Sequence, residues 1–113
     1  MRARTFEPRR EQLLAKAVNG FQVILAERAG KAVGYVLSSI NRELRGEVDS
    51  FLVTATERGQ GIGRALLAAA MQWLAAQQPA DIVVEVLAGN DAAQRFYEAF
   101  GFHARAITLH YVK

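Results

Sequence analysis

The run from Arg58 to Leu67, RGQGIGRALL, holds the residues best suited to chemistry. Gly59, Gly61 and Gly63 leave the backbone bare at alternate positions, just ahead of a long apolar helix pattern. N–H groups at a helix start have no intrahelical acceptor, and the helix dipole is positive there, so such a start attracts anions. Arg58 and Arg64 add fixed positive charge. One glycine alone would read as a tight turn that needs its dihedral freedom. Three, with an arginine on either side, read as a cradle for phosphate or pyrophosphate. The spacing is not G-x-G-x-x-G, and no Gly-Lys-Ser/Thr follows. The pattern therefore implies some other phosphate-bearing cofactor.

Several elements must position this loop. Residues 8–18 predict a short helix: Pro8 suits a first turn, Leu13, Leu14, Ala17 and Val18 share a face, and Gly20 closes it. Residues 21–28 predict a strand, followed by a turn at Ala29-Gly30-Lys31 and a second strand over 32–40. Residues 47–53 predict a third strand, alternating Val48, Ser50 and Leu52 against Glu47, Asp49, Phe51 and Val53. These three strands predict an antiparallel meander. A helix follows over 62–78, ended by Gln78-Pro79. Residues 82–87, IVVEVL, predict an interior strand parallel to the third, joined to it by a right-handed crossover. Asn90 caps a short helix that presents Ala93, Phe96, Tyr97 and Phe100, with Gly101 past its end. Residues 102–112 predict a last strand.

At 113 residues and 51% hydrophobic content, the chain suits one domain, residues 1–113, with one core. No apolar run approaches a membrane span, and the N-terminus lacks the apolar stretch of a signal peptide. Zero cysteines exclude disulfides and fit a cytoplasmic protein. His103 and His110 have no acidic or cysteine companions at ligand spacing, so no metal is expected. The net charge of +3 comes from scattered arginines without an aromatic-basic motif. An anionic small ligand accounts for it better than nucleic acid, and no membrane partner is expected.

Two separated blocks then carry a resemblance. Arg58-x-x-Gly61-x-Gly63 resembles the acetyl-CoA-binding signature of the GNAT superfamily of N-acetyltransferases. Asn90-x-x-Ala93-x-x-Phe96-Tyr97-x-x-Phe100-Gly101-Phe102 resembles the second block of that family, and the helix and strand between them fit. The resemblance implies an α/β fold: a mixed central sheet, meander first, then a parallel crossover with splayed strands, flanked by helices and shortened at the N-terminus. It implies acetyl-CoA as co-substrate. Its pyrophosphate would lie on the backbone of Arg58, Gly59, Gln60, Gly61, Ile62 and Gly63, beside Arg64. The strand end at Phe51, Leu52 and Val53 would pair with the pantetheine arm, and the amide near Val53 would hold the thioester oxygen. Asn90 would touch the arm as well as cap its helix.

Tyr97, by its pattern alone, is a core aromatic on a helix face. The resemblance implies a general acid that protonates the departing thiolate. An amine acceptor must lose a proton before it attacks, and Glu47, Asp49 and Glu85 are the candidate bases, against ordinary solvated or ion-paired carboxylates. Val83, Val84, Val86 and Leu87 flank Glu85, so burial is expected to raise its pKa, and it is the favoured base, with Glu47 close behind.

The activity implied is acetyl transfer from acetyl-CoA to a primary amine of a small molecule or peptide. A non-catalytic CoA-binding module of the same fold is the alternative, and a nucleotide-binding domain of another fold is less compatible with a preceding meander. Proline and an aromatic, frequent in the family ahead of the loop, are replaced by Ala55 and Glu57. Only about one helix precedes the first confident strand. Residues 2–6 add a stub of strand, or the acceptor side is open, or a second subunit completes it. A homodimer is expected, because residues 21–28 would otherwise leave a bare edge and the C-terminal segment is apolar.

Overall fold

The computed structural model describes residues 2–5 and 11–113, with side chains from Gln12 onward. Among the described residues, six strands form one sheet in sequence order: β1 (Arg2–Thr5), β2 (Glu11–Val18), β3 (Phe21–Arg28), β4 (Lys31–Ile40), β5 (Arg45–Val53) and β6 (Asp81–Val84). The first five are antiparallel neighbours, and β5 and β6 are parallel. Helix α1 (Ile62–Ala76) makes the crossover, and α2 (Asp91–Glu98) follows β6.

The helix expected over residues 8–18 is a strand where it is described; Pro8 lies outside the described residues. Leu, Ala, Lys, Gln and Glu favour a helix, but only weakly. The Asn19-Gly20 pair overrides them. Both residues have positive φ, 51° and 81°, and Val18 pairs directly with Phe21 across the two-residue turn. Leu13 and Ala15 then pack toward the core. The edge that β3 was expected to expose is covered by β2, and β2 in turn by β1. Ala29 and Gly30 repeat the turn before β4, with φ of 53° and 81°.

The core lies between one sheet face and α1. Ile62, Leu66, Leu67, Ala70 and Leu74 meet Ile24, Ala26, Val36 and Val48 there. Gly46 and Gly34 let the helix close on the sheet: an added Cβ would lie 3.0 Å from Leu74 Cδ2 and 3.1 Å from Leu66 Cδ1, respectively. The opposite face has no helix on it among the described residues. Leu14, Leu25, Tyr35 and Leu52 form one cross-strand row there.

The strict alternation expected in β5 breaks at Asp49. Leu37 pairs with Ser50, but Ser38 pairs with Val48, so Asp49 is the extra residue of a bulge. Val48 and Phe51 thereby point to the same face, whereas a regular strand would oppose them. β5 pairs with β6 only over residues 45–48 against 81–84. Past the bulge the two strands part. β6 is accordingly shorter than the expected 82–87. The last strand expected over 102–112 is absent: residues 103–113 carry no ladder and are exposed. Among the described residues, no helix is long and apolar enough to cross a membrane.

Candidate active site

The glycine loop begins where β5 ends. A single 3-10 turn, Ala55–Glu57, leads through Arg58 to Gly61, which caps α1 with a left-handed φ of 85°. The three glycines serve two purposes. Gly59 and Gly61 have positive φ, and a Cβ on either would meet nothing within 4 Å. Their bare surface is open to a ligand. Gly63 instead sits in the first turn of α1 against the sheet, where a Cβ would lie 3.3 Å from Phe51 Cζ and 3.6 Å from Val53 Cγ2. It sets helix–strand distance.

The start of α1 is electrostatically incomplete. No side chain caps it and no acid lies in its first turn. Ala65 N–H bonds Gly61 O, leaving the amides of Ile62, Gly63 and Arg64 without an intrahelical acceptor. α2 shows the contrast: Asn90 Oδ1 accepts from Ala93 N–H at 3.1 Å, and Asp91 opens the helix. Asn90 is thus the cap that was expected.

A side chain from a distant strand holds the loop. Arg28, on β3, donates to Glu57 Oε1 at 2.8 Å and also to Gln60 Oε1. Gln60 reaches back to Thr56 O at 3.4 Å. The Gln60 side chain is therefore engaged. Arg58 Nε donates to Val53 O at 3.0 Å, while Arg64 is exposed. The Arg28 brace escaped sequence reading, since 29 residues separate it from Glu57.

The gap left by the parting of β5 and β6 lies beside this loop. Thr54 N–H bonds Val33 O across to β4. Alternate residues of an antiparallel strand face opposite edges, so Leu52 also turns its backbone to β4, and Phe51 and Val53 turn theirs to the gap. Of the three residues expected to meet the cofactor arm, two thus offer backbone groups. Leu52 does not; its side chain lies half-exposed on the open face.

Aromatic rings wall the gap. Phe51 stacks on Phe96 at 5.5 Å, and Phe96 meets Tyr97 edge-on at 5.4 Å. Tyr97 is 8% exposed and also meets Phe102 edge-on at 5.8 Å. Burial raises the Tyr97 phenol above its ordinary value. The phenol is held in the form that can donate a proton.

Asp49 and Glu85 both come within electrostatic reach of Glu47. The Glu47 carboxyl is raised above its ordinary value, by burial first, then by Asp49 and Glu85, with Arg45 opposing. Glu85 is exposed, contrary to the expected burial, because β6 stops at Val84 and its apolar flanks do not close over it. The half-buried acid is Glu47. It shares the open face with Ser39 and Phe21, and beside it Tyr35 and Ser50 join hydroxyls at 2.9 Å. That pair also went unrecognised, because only the register brings it together. Among the described residues, no three His, Cys, Asp or Glu side chains could hold a metal ion.

The family profile described as "Acetyltransferase (GNAT) family" matches residues 2–102. The chain belongs to this family. Its GNAT profile spans the loop, the gap and the aromatic wall together. Among curated proteins, the chain is 34% identical over 93 residues to a mycothiol acetyltransferase of Thermobispora bispora, covering 77% of this chain and 32% of that protein. It is 36% identical over 88 residues to the mycothiol acetyltransferase of Streptomyces griseus, covering 77% of this chain and 29% of that protein. The chain thus spans about a third of these relatives' length. Among solved structures, the GNAT fold is matched by aminoglycoside N-acetyltransferase AAC(6')-Iy in complex with CoA, at a TM-score of 0.75 and 19% identity, over 85% of this chain and 78% of that one. A soil-metagenome aminoglycoside acetyltransferase in complex with sisomicin matches at a TM-score of 0.71 and 22% identity, over 85% and 66%.

Proposed function

We propose that this chain is an N-acetyltransferase that moves an acetyl group from acetyl-CoA to a primary amine of a small molecule or peptide. The observation that carries the reading is the uncapped, acid-free start of α1, opening beside the gap between β5 and β6. The CoA complex of a structural neighbour and the named activities of the curated relatives support it.

The amides from Arg58 to Gly63, with Arg64, hold the pyrophosphate. The backbone edges of Phe51 and Val53 hold the pantetheine arm, and Asn90 borders it. Once bound, acetyl-CoA supplies the thioester that the amine attacks. Val53 N–H stabilises the charge on the carbonyl oxygen as the new carbon–nitrogen bond forms. Glu47, through water, accepts the proton that the amine gives up; burial first, and then Asp49 and Glu85, keep Glu47 basic enough to do so. Tyr97 donates its proton to the thiolate as the carbon–sulfur bond breaks. The open sheet face admits the acceptor. The reading extends to a homodimer working in the cytoplasm, consistent with a chain free of cysteine.

The test is turnover: free thiol released from acetyl-CoA in the presence of a panel of polyamines, aminosugars and peptide amines, with products weighed by mass spectrometry. Acetylated product above the uncatalysed rate supports the enzyme. Tight CoA binding without product from any amine would return the chain to a CoA-binding module.

A further inference from the structure

We propose that Ser50 relays the acceptor's proton to Glu47, and that Tyr35 is the positioning residue that turns the Ser50 hydroxyl for that task. This rests on the acetyltransferase reading above and names two further residues for it.

Register brings the groups together. Residues 47 and 50 are three apart, so a regular strand would set them on opposite faces. The extra residue at Asp49 removes that opposition. Glu47 pairs with Ser39, and Ser50 with Leu37, two residues along β4, so both carry their side chains on the open face. Tyr35 pairs directly with Leu52, yet its hydroxyl reaches diagonally to Ser50 Oγ at 2.9 Å. All three residues are half-buried.

Distance calls for a relay. Val53, at the acetyl carbonyl in the reading above, pairs with Gly34, five residues from Ser39 along β4. At about 3.4 Å per residue, Glu47 and Val53 stand about 17 Å apart along the sheet. One water joins two oxygens about 5.5 Å apart, the span of two ordinary hydrogen bonds. Glu47 with one water therefore falls short of the amine. Ser50 stands between, about 7 Å from the level of Glu47 and about 10 Å from that of Val53.

A serine hydroxyl has one proton to give and two lone pairs. Were Ser50 to donate to Tyr35, that proton would be spent. With the Tyr35 hydroxyl donating to Ser50 Oγ, the second lone pair is left for the acceptor and the proton for a water on Glu47. The acceptor's ammonium gives a proton to Ser50 Oγ as Ser50 passes its own through the water to the Glu47 carboxylate. The serine hydroxyl is restored, Glu47 becomes the neutral acid, and the nitrogen keeps its electron pair for the thioester carbon. Tyr35 neither gains nor loses a proton.

The experiment compares Tyr35→Phe, Ser50→Ala, Ser50→Thr and the double variant Tyr35→Phe, Ser50→Ala with the parent in steady-state turnover across pH. Spermidine, glucosamine and trialanine are the probe amines, and circular dichroism checks the fold. Asp49, Glu85 and Arg45, the charged groups acting on Glu47, are unchanged throughout. Ser50→Ala should lower kcat/KM for the amine about tenfold, the worth of one hydrogen bond, with KM for acetyl-CoA unchanged. The loss should shrink as pH rises through the amine's own pKa, because the nucleophile then arrives deprotonated. Ser50→Thr keeps the hydroxyl and should retain most of the activity. Tyr35→Phe should lose several-fold, and the double variant should be no slower than Ser50→Ala, since Tyr35 acts through Ser50 alone. A loss equal at every pH, or an acetyl-CoA KM that rises with it, overturns the relay in favour of a packing role. Additive losses in the double variant, or parent-like turnover in Ser50→Ala, also overturn it. Each of these leaves the acetyltransferase reading standing. No acetylation of any amine in the wider panel by the parent overturns both.

Discussion

Phe51 on β5 and Phe96 on α2 stack with ring centroids 5.5 Å apart and planes 15° from parallel. A Cβ on Gly63 would lie 3.3 Å from the first ring and 3.8 Å from the second. One aromatic pair thus joins the strand end, the glycine loop and the second helix. It makes the loop's position depend on core packing.

The glycines should therefore respond differently. Gly61→Ala places an L side chain in a left-handed conformation with open space around it, at a cost of about 1–2 kcal/mol. It should leave the fold intact and lower CoA affinity. Gly63→Leu drives a side chain into Phe51 and should cost a further 1–3 kcal/mol, roughly the penalty of overpacking. Urea unfolding with parallel calorimetry of CoA binding separates the two effects. Equal stability losses would mean that Gly63 is not a packing glycine.

Tyr97→Phe keeps the ring and its aromatic neighbours. If the phenol is the acid, turnover should fall about 10²- to 10⁴-fold while acetyl-CoA affinity changes little. A variant with full turnover would make Tyr97 a packing residue alone.

Glu47 should define the acidic limb of the pH–rate profile. Glu47→Gln should flatten it. Asp49→Asn and Glu85→Gln should each move it to lower pH, because each removes a charge that raises the Glu47 pKa. Stability gives an independent check with a fixed sign. A carboxyl whose pKa is raised by folding favours the folded state below its unfolded pKa, and that advantage is lost as pH rises through the folded value. Glu47→Gln should then melt higher than the parent at pH 7–8, and the difference should vanish below about pH 4, under the ordinary carboxyl value. A lower melting temperature at pH 7 would mean that the ionised carboxylate is a stabilising partner.

Arg28→Ala should loosen the loop from a distance. It removes charge-assisted bonds to Glu57 and Gln60, at a cost near the upper end of about 0.5–1.5 kcal/mol for an exposed or half-exposed contact. CoA affinity should fall several-fold although no atom of Arg28 belongs to the cradle. Unchanged affinity would show that the glycine backbone holds its shape unaided.

Much of this protein was written locally. Gly59 and Gly61 are recognisable as bare backbone because positive φ and an open surface demand glycine wherever they occur. Asn90 declares its helix through a bond only three residues long. The α1 stripe from Ile62 to Leu74 follows from helical periodicity, and the hydrophobic strands β3, β4 and β5 from their composition. The Asn19-Gly20 turn is equally local, and it overrides the helix-forming composition of residues 11–18.

Other features exist only in the folded chain. Register puts the extra residue at Asp49 and so turns Val48 and Phe51 to one face, and no local pattern states which residue a neighbouring strand will skip. Glu47, not Glu85, is the half-buried acid, because burial depends on where β6 stops pairing and not on the apolar residues beside it in sequence. Arg28 reaches Glu57, and Tyr35 reaches Ser50, across strands. Local conformational preference acts over a few residues and can be read from them. Strand register and the burial of a charge are set by partners many residues away, and only the assembled sheet decides them.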